Sequence, residues 1–190
     1  DNDPQPQNEV ELRLLNLEYK EAHGRPRVHI LGRDNDNNKH HVEVDGAKPS
    51  LFIKKEDYND RLEQHYAVSD VEFLNEDGEP YTSVYGDELV RVYTFLPKQV
   101  PEVRDMFEEH FEADVFFSNR FLIDKDIKTG VKVDISDPMW KNDEYHYRVH
   151  ESDLTACEPP QNASPRLITV DIEVASEAGF PGAGKAEWPV

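Results

Sequence analysis

Four short runs near the start of the chain are rich in β-branched and alternating apolar residues: ELRLLNLEYK (11–20), RVHILG (27–32), HHVEVD (40–45) and SLFIKK (50–55). Successive side chains of a strand point to opposite faces, so a period of two suits a half-buried strand and does not suit a helix. The first three runs are separated by EAHGRPR (21–27) and DNDNNK (34–39), rich in the Gly, Pro, Asn and Asp that make turns. The chain is committed to sheet before any helical spacing occurs.

That spacing first occurs in KEDYNDRLEQHYAV (55–68), where Tyr58, Leu62 and Tyr66 recur every fourth position and predict a helix. VEFLN (71–75) and ELVRVYTFL (88–96) return to strand, with NEDGEP (75–80) as the turn between them. Pro97 and Pro101 frame the next step. VPEVRDMFEEHFEAD (100–114) predicts a helix with Val103, Met106, Phe107 and Phe111 inward, and FFSNRFLIDKDI (116–127) a second, short one. YHYRVH (145–150) is a strand candidate. ESDLTACEPPQNASPR (151–166) carries three prolines and little periodicity, which marks it as a boundary segment. A length of 190 residues suits one domain or two small ones. The order of elements predicts an α+β fold, with a mixed, mostly antiparallel sheet and flanking helices, followed by the first strand of another domain.

Forty Asp and Glu against 21 Lys and Arg give a net charge of −19, which argues against a basic nucleic-acid surface. The acids are scattered along the whole chain, however, as in proteins that stay hydrated in concentrated salt. At molar salt the Debye length is only about 3 Å, so this charge need not repel an anionic ligand. A halophilic origin is the expectation. The single cysteine, Cys157, excludes an internal disulfide. The start, DNDPQPQNE, has no apolar signal-peptide core, and no apolar run reaches the roughly 18 residues that span a bilayer. A soluble, cytoplasmic protein without a membrane partner is expected. The chain begins without Met, as a processed or excised piece does.

Several side-chain groupings are candidates for chemistry. LITVDIEV (167–174) places Asp171 and Glu173 at i and i+2 of a run that is otherwise nearly all apolar. On a strand they share one face, and two carboxylates there can hold a divalent cation. Acid-x-acid pairs such as Glu43/Asp45 are common in so acidic a chain, so an exposed strand end remains an equal reading. GFPGAGKA (179–186) fits part of a phosphate-binding loop, but Ala186 replaces the Ser or Thr that binds magnesium and Pro189 follows closely. A Gly/Pro loop is the better account. His40 and His41 near Glu43, and His146 with His150, lack a cysteine at ligand spacing and read as surface residues. Cys157 has no visible base nearby.

FEADVFFSNRFLIDKDI (111–127) followed by LITVDIEV (167–174) resembles the N-terminal part of archaeal family B DNA polymerases. LEYKEAHGRPRVHILGR (17–33), AKPSLFIKK (47–55) and FLPKQVPEVRDMF (95–107) are similar to the family's first hairpin, its Pro-aromatic strand and its strand-to-helix step. The resemblance covers nearly the whole chain. It implies an N-terminal template-binding domain (1–158), then a linker and the truncated start of an RNase H-like 3′→5′ exonuclease domain (159–190). Asp171 and Glu173 would be catalytic ligands of a two-metal Mg2+ site, or Mn2+. The other exonuclease motifs are expected beyond Val190, so the piece itself is expected to be inactive. Its parent would act on primer-template with deoxynucleoside triphosphates, with a sliding clamp as a further partner.

In that family the N-terminal domain captures uracil and other deaminated bases in single-stranded template DNA. The matching positions are Tyr19, Pro97, Val100, Val115, Phe117 and Arg120; Phe116 belongs to the same pocket but departs from the family, as does Ser50. Phe116 stands where proline is common, so a bulkier ring narrows the pocket, and Ser50 stands where tyrosine is common. For Phe116, Phe117 and Phe121 the competing reading is core packing on a helix. The competing functions are a non-catalytic acidic binding module and a nucleotide-binding protein using the 179–186 loop.

Overall fold

The computed structural model describes residues 9–135, 139–141, 144–161, 168–170, 174–175 and 188–189. The opening alternation becomes three long strands, β1 (Glu9–Ala22), β2 (Arg25–Arg33) and β3 (Lys39–Asp45). Val28, Ile30, Val42 and Val44 are fully buried on one side of them. β1 serves two partners: residues 9–13 pair with a later strand and residues 13–22 with β2, with an irregularity between Leu14 and Asn16. An extra residue at such a point bends the strand and lets it serve both.

β4 (Ser50–Lys54), β5 (Val68–Glu72), β6 (Tyr81–Thr82), β7 (Glu88–Thr94) and β8 (His110–Phe111) form a separate antiparallel sheet in the order β5-β7-β4-β8, with β6 against β7. The first sheet is completed by β9 (Gly130–Asp134), β10 (Met139–Lys141), β11 (Glu144–His150) and β12 (Leu154–Cys157), giving the order β10-β11-β3-β2-β1-β9-β12. Every neighbouring pair in it is antiparallel except β11 on β3. β13 (Val174–Ala175) pairs with β14 (Trp188–Pro189). Two short helices, α1 (Val100–Arg104) and α2 (Phe117–Asp124), complete a mixed α+β fold that is mostly strand. Each sheet has its own core. Leu12, Ile30 and Val131 join Phe117 and Phe121 of α2 in one, and Leu51, Ile53 and Val92 join Val103 of α1 in the other.

Four sequence expectations fail for local reasons. The helix expected over 55–68 is two 3-10 turns, Lys55–Asp57 and Leu62–Gln64, with Leu62 buried and Tyr66 exposed. The Asn59 side chain accepts from the Arg61 backbone N–H at 3.2 Å, a local bond that competes with helix. The helix expected over 100–114 stops at Arg104. Glu112 adopts a left-handed φ of 57°, and the preceding His110–Phe111 pairs with β4 instead. The 151–166 segment is not irregular throughout, because Leu154–Cys157 is the outer strand of the large sheet. Residues 168–170 are irregular rather than strand, with Ile168 and Val170 at 82% and 74% exposure. A run apolar on both faces makes a strand only where both faces are covered.

The histidines also divide differently from a surface set, since His29 and His40 are buried. Asp34 accepts from His40 Nε2 at 3.0 Å, which leaves His40 Nδ1 to accept from the Tyr147 hydroxyl at 2.8 Å. Burial holds His40 below the ordinary histidine range even though Asp34 opposes the shift.

Gly130 lets the chain after β12 cross closely over β9. A Cβ on it would lie 2.5 Å from the Cys157 carbonyl oxygen and 2.6 Å from the Pro159 nitrogen. Both are backbone atoms and cannot swing away. Gly130→Ala is expected to destabilise the fold by about 1–3 kcal/mol, read as a lower midpoint in urea. An unchanged midpoint would mean that the 157–159 crossing shifts freely.

Candidate nucleic-acid interface

The two cores meet at a cleft of about 560 Å³. Tyr19 comes from β1, Pro97 and Val100 from the turn into α1, and Val115, Phe116, Phe117 and Arg120 from the approach to α2 and its first turns. All seven line this one cleft, with Pro49, Ser50, Lys98, Arg104 and Asp114 among their neighbours. Residues separated by about a hundred positions come together because β1 and α2 share one core and α1 belongs to the other.

The two adjacent phenylalanines have different surroundings. Phe117 is buried at 7% exposure, and its ring meets Tyr19 edge to face, with centroids 5.2 Å apart and planes at 87°. That arrangement suits the ring quadrupoles. Phe116 stands at 79% exposure. It lines the same cleft with most of its surface in solvent. Phe121 is core, as the competing reading has it.

Phe116 is the N-cap of α2, and its side chain makes no capping hydrogen bond. The first N–H groups of a helix have no partner within the helix. Phe117, Ser118 and Asn119, which supply that first turn, line the cleft. The wall therefore offers an apolar aromatic surface beside backbone donors, a combination that suits a flat heterocycle bearing carbonyl oxygens.

Arg120 is buried and lies within a chain of charges. Its Nη2 and Nε donate to Asp124 Oδ1 at 2.5 and 2.9 Å, and its Nη1 donates to Glu112. Asp124 Oδ2 accepts from Arg91 Nη2 at 2.5 Å, and Arg91 Nε donates to Ser50 Oγ at 3.0 Å. Burial, the largest single influence, acts to lower the Arg91 pKa, but Asp124 together with Tyr93 and Tyr81 outweighs it and the net shift is upward. Ser50, where a tyrosine was expected from the resemblance, is buried and anchors this chain beneath the cleft. The Arg120–Asp124 spacing on a helix was legible as an i,i+4 pair. The parts played by Arg91 and Glu112 were not, because no local spacing links them to α2.

The other two cations of the wall are also paired. Lys98 reaches Glu21 at 3.0 Å, and Arg104 reaches Asp105 and Asp114 at 2.8 Å each. The three cations of the cleft wall, Lys98, Arg104 and Arg120, thus all have carboxylate partners. Asp171 and Glu173, the metal pair expected from the sequence, lie outside the described residues, as does the Gly-rich loop at 179–186. Among the described residues no helix is long and apolar enough to cross a membrane.

Residues 108–190 match the family model for the exonuclease domain of DNA polymerase family B. No curated protein matches the chain. Among solved structures, the chain is similar to the family B DNA polymerase from the hyperthermophilic archaeon Pyrobaculum calidifontis, with a TM-score of 0.67 at 19% identity. That match covers 91% of this chain and 24% of the other, so this chain spans about a quarter of that polymerase's length. The fold is one found in a family B DNA polymerase, and the C-terminal part of the chain carries that family's exonuclease-domain signature.

Proposed function

We propose that this chain is the template-binding region and the beginning of the 3′→5′ exonuclease domain of a family B DNA polymerase, and that its cleft takes a base from single-stranded DNA. The observation that carries this reading is the meeting of Tyr19, Pro97, Val100, Val115, Phe116, Phe117 and Arg120 on one cleft wall. Phe116 stacks on an incoming base, and the cleft behind it receives the base edge, with backbone donors facing the pyrimidine carbonyls. A 5-methyl group adds bulk on that edge, which favours uracil over thymine and so reports a deaminated cytosine.

The same reading gives residues 1–158 the template-binding role and 159–190 the start of an RNase H-like exonuclease domain. Asp171 and Glu173 fall within the matched span and would hold Mg2+ or Mn2+ there. The parent enzyme then extends primer-template with deoxynucleoside triphosphates, proofreads, and engages a sliding clamp in a haloarchaeal cytoplasm. A net charge of −19 suits such a setting, where salt suppresses phosphate attraction and stacking carries more of the affinity.

The test is fluorescence anisotropy in molar KCl, using labelled single-stranded DNA with one central uracil and the matching thymine strand. The uracil strand is expected to bind tighter by roughly tenfold, about 1.4 kcal/mol. Phe116→Ala should weaken both strands by about 1–3 kcal/mol, the usual worth of a base stacked on an aromatic ring. Equal affinity for the two strands would remove base sensing from the reading. Absence of any binding would remove the DNA interface from this cleft.

A further inference from the structure

The outer face of the large sheet, opposite its core, carries three imidazoles in a diagonal row across β2, β3 and β11. His41 of β3 is the direct cross-strand partner of His146 on β11, and His29 of β2 is the direct partner of Glu43 on β3. His29 Nδ1 lies 2.8 Å from His41 Nε2. The rings of His41 and His146 are centred 5.0 Å apart, and His146 Nε2 lies 2.9 Å from Glu144 Oε1. Two sets of three potential donors result, His29/His41/Glu43 and His41/Glu144/His146. Within each set the ligand atoms lie within 4.8 Å of one another.

We propose that His29, His41 and His146, with Glu43 and Glu144, form a site for a divalent transition-metal ion of the Zn2+ type, with His41 as the shared ligand. Imidazole nitrogen and carboxylate oxygen are the donors zinc takes when cysteine is absent. In a tetrahedral shell with metal–ligand distances of about 2.0–2.1 Å, neighbouring donor atoms are roughly 3.3 Å apart. Within each set of three the separations, from 2.8 and 2.9 Å up to at most 4.8 Å, bracket that value.

Two further features separate this group from a chance surface cluster. His146 Nε2 is shielded from solvent yet has no hydrogen bond, because Glu144 is near enough for an ion pair but lies off the N–H direction. His29 is only 7% exposed although it sits on the sheet face away from the core. A buried nitrogen without an aligned hydrogen bond is costly, and an ion would satisfy it. Burial foremost, and then the neighbouring imidazole, hold His29 and His41 below the ordinary histidine range. Both rings are thus held toward the neutral form, the form that ligates a metal once the proton between them is displaced.

The ion would act as a staple and not as a catalyst. β11 joins the sheet through β3 alone on that side, by the one parallel pairing in the sheet, and β10 hangs from β11. A metal held by β2, β3 and β11 fastens this outer hairpin to the sheet's interior strands. The inference does not depend on the reading of the DNA cleft.

The test uses the full chain, stripped with chelator and titrated with Zn2+ against a chromophoric competitor, with Co2+ absorption as the report of nitrogen and oxygen ligation. One ion per chain is expected, with a melting temperature that rises with Zn2+ concentration. His41→Ala should weaken binding by more than roughly a hundredfold, beyond the 10–100-fold typical of outer-shell partners, and abolish the thermal shift. His146→Gln, on a half-buried strand position, should weaken it in the same direction and guards against a folding defect in the first variant. His23→Asn, at an exposed turn, should bind as the parent does. Zinc binding that survives either His41→Ala or His146→Gln, or no measurable binding by the parent, overturns the site.

Discussion

Asp124→Ala is expected to lower the unfolding free energy by about 3–5 kcal/mol, the cost of removing one partner from a buried charge cluster. Asp124 stands between two guanidiniums, Arg91 and Arg120, whose side chains are only 13% and 10% exposed. Without it Arg120 keeps Glu112 and Arg91 keeps a hydroxyl, so one buried cation is left without an acid beside it. The measurement is equilibrium unfolding in urea, repeated in an Arg91→Met background. There the same substitution should cost clearly less, because the orphaned charge is gone. A cost below about 1 kcal/mol in the parent would place the pair among solvated surface ion pairs.

The second large effect separates two neighbours in sequence. Phe117→Ala removes a ring from the core shared by Leu12, Ile30 and Val131 and is expected to cost about 3–5 kcal/mol. Phe116→Ala removes a ring already in solvent and should stay within about 0.5 kcal/mol of the parent. DNA binding should rank them differently: at conditions where both variants are folded, Phe116→Ala loses affinity while keeping stability. Thermal melts set beside the anisotropy titrations make the comparison. If Phe116→Ala proves as destabilising as Phe117→Ala, its ring has a packing role in solution. It would then be unavailable to a base.

The strands were the most legible part of the chain. β1 to β3 follow from period-two patterning and turn residues, because one buried face imposes that period, whereas β4 and β7 are apolar runs buried along nearly their whole length. The helices over 55–68 and 100–114 were misread for the opposite reason. Tyr58, Leu62 and Tyr66 have helical spacing, but Leu62 is buried, Tyr58 only packs against the same core from its edge and Tyr66 stays exposed, while Phe111 is recruited by β4 through a partner far away in sequence. β9 was missed because its alternation is only five residues long. At the cleft, the positions came from resemblance and not from periodicity, and the contrast between Phe116 and Phe117 needed coordinates. Nothing local says that His146 lies beside His41, since a parallel pairing across about a hundred residues leaves no mark in either segment.

That pairing sets a timetable for synthesis. β3 ends at Asp45 and its neighbour β11 begins at Glu144. At roughly 5–20 residues per second, a ribosome takes on the order of 5 to 20 seconds to make the chain between them. Throughout that interval β3 is a bare, β-branched edge with unused backbone donors and acceptors, open to the same strand on a neighbouring nascent chain. The acids spread through the intervening segment are made during the wait. At molar salt, with a Debye length of about 3 Å, their charge gives that edge no long-range protection before its own partner emerges.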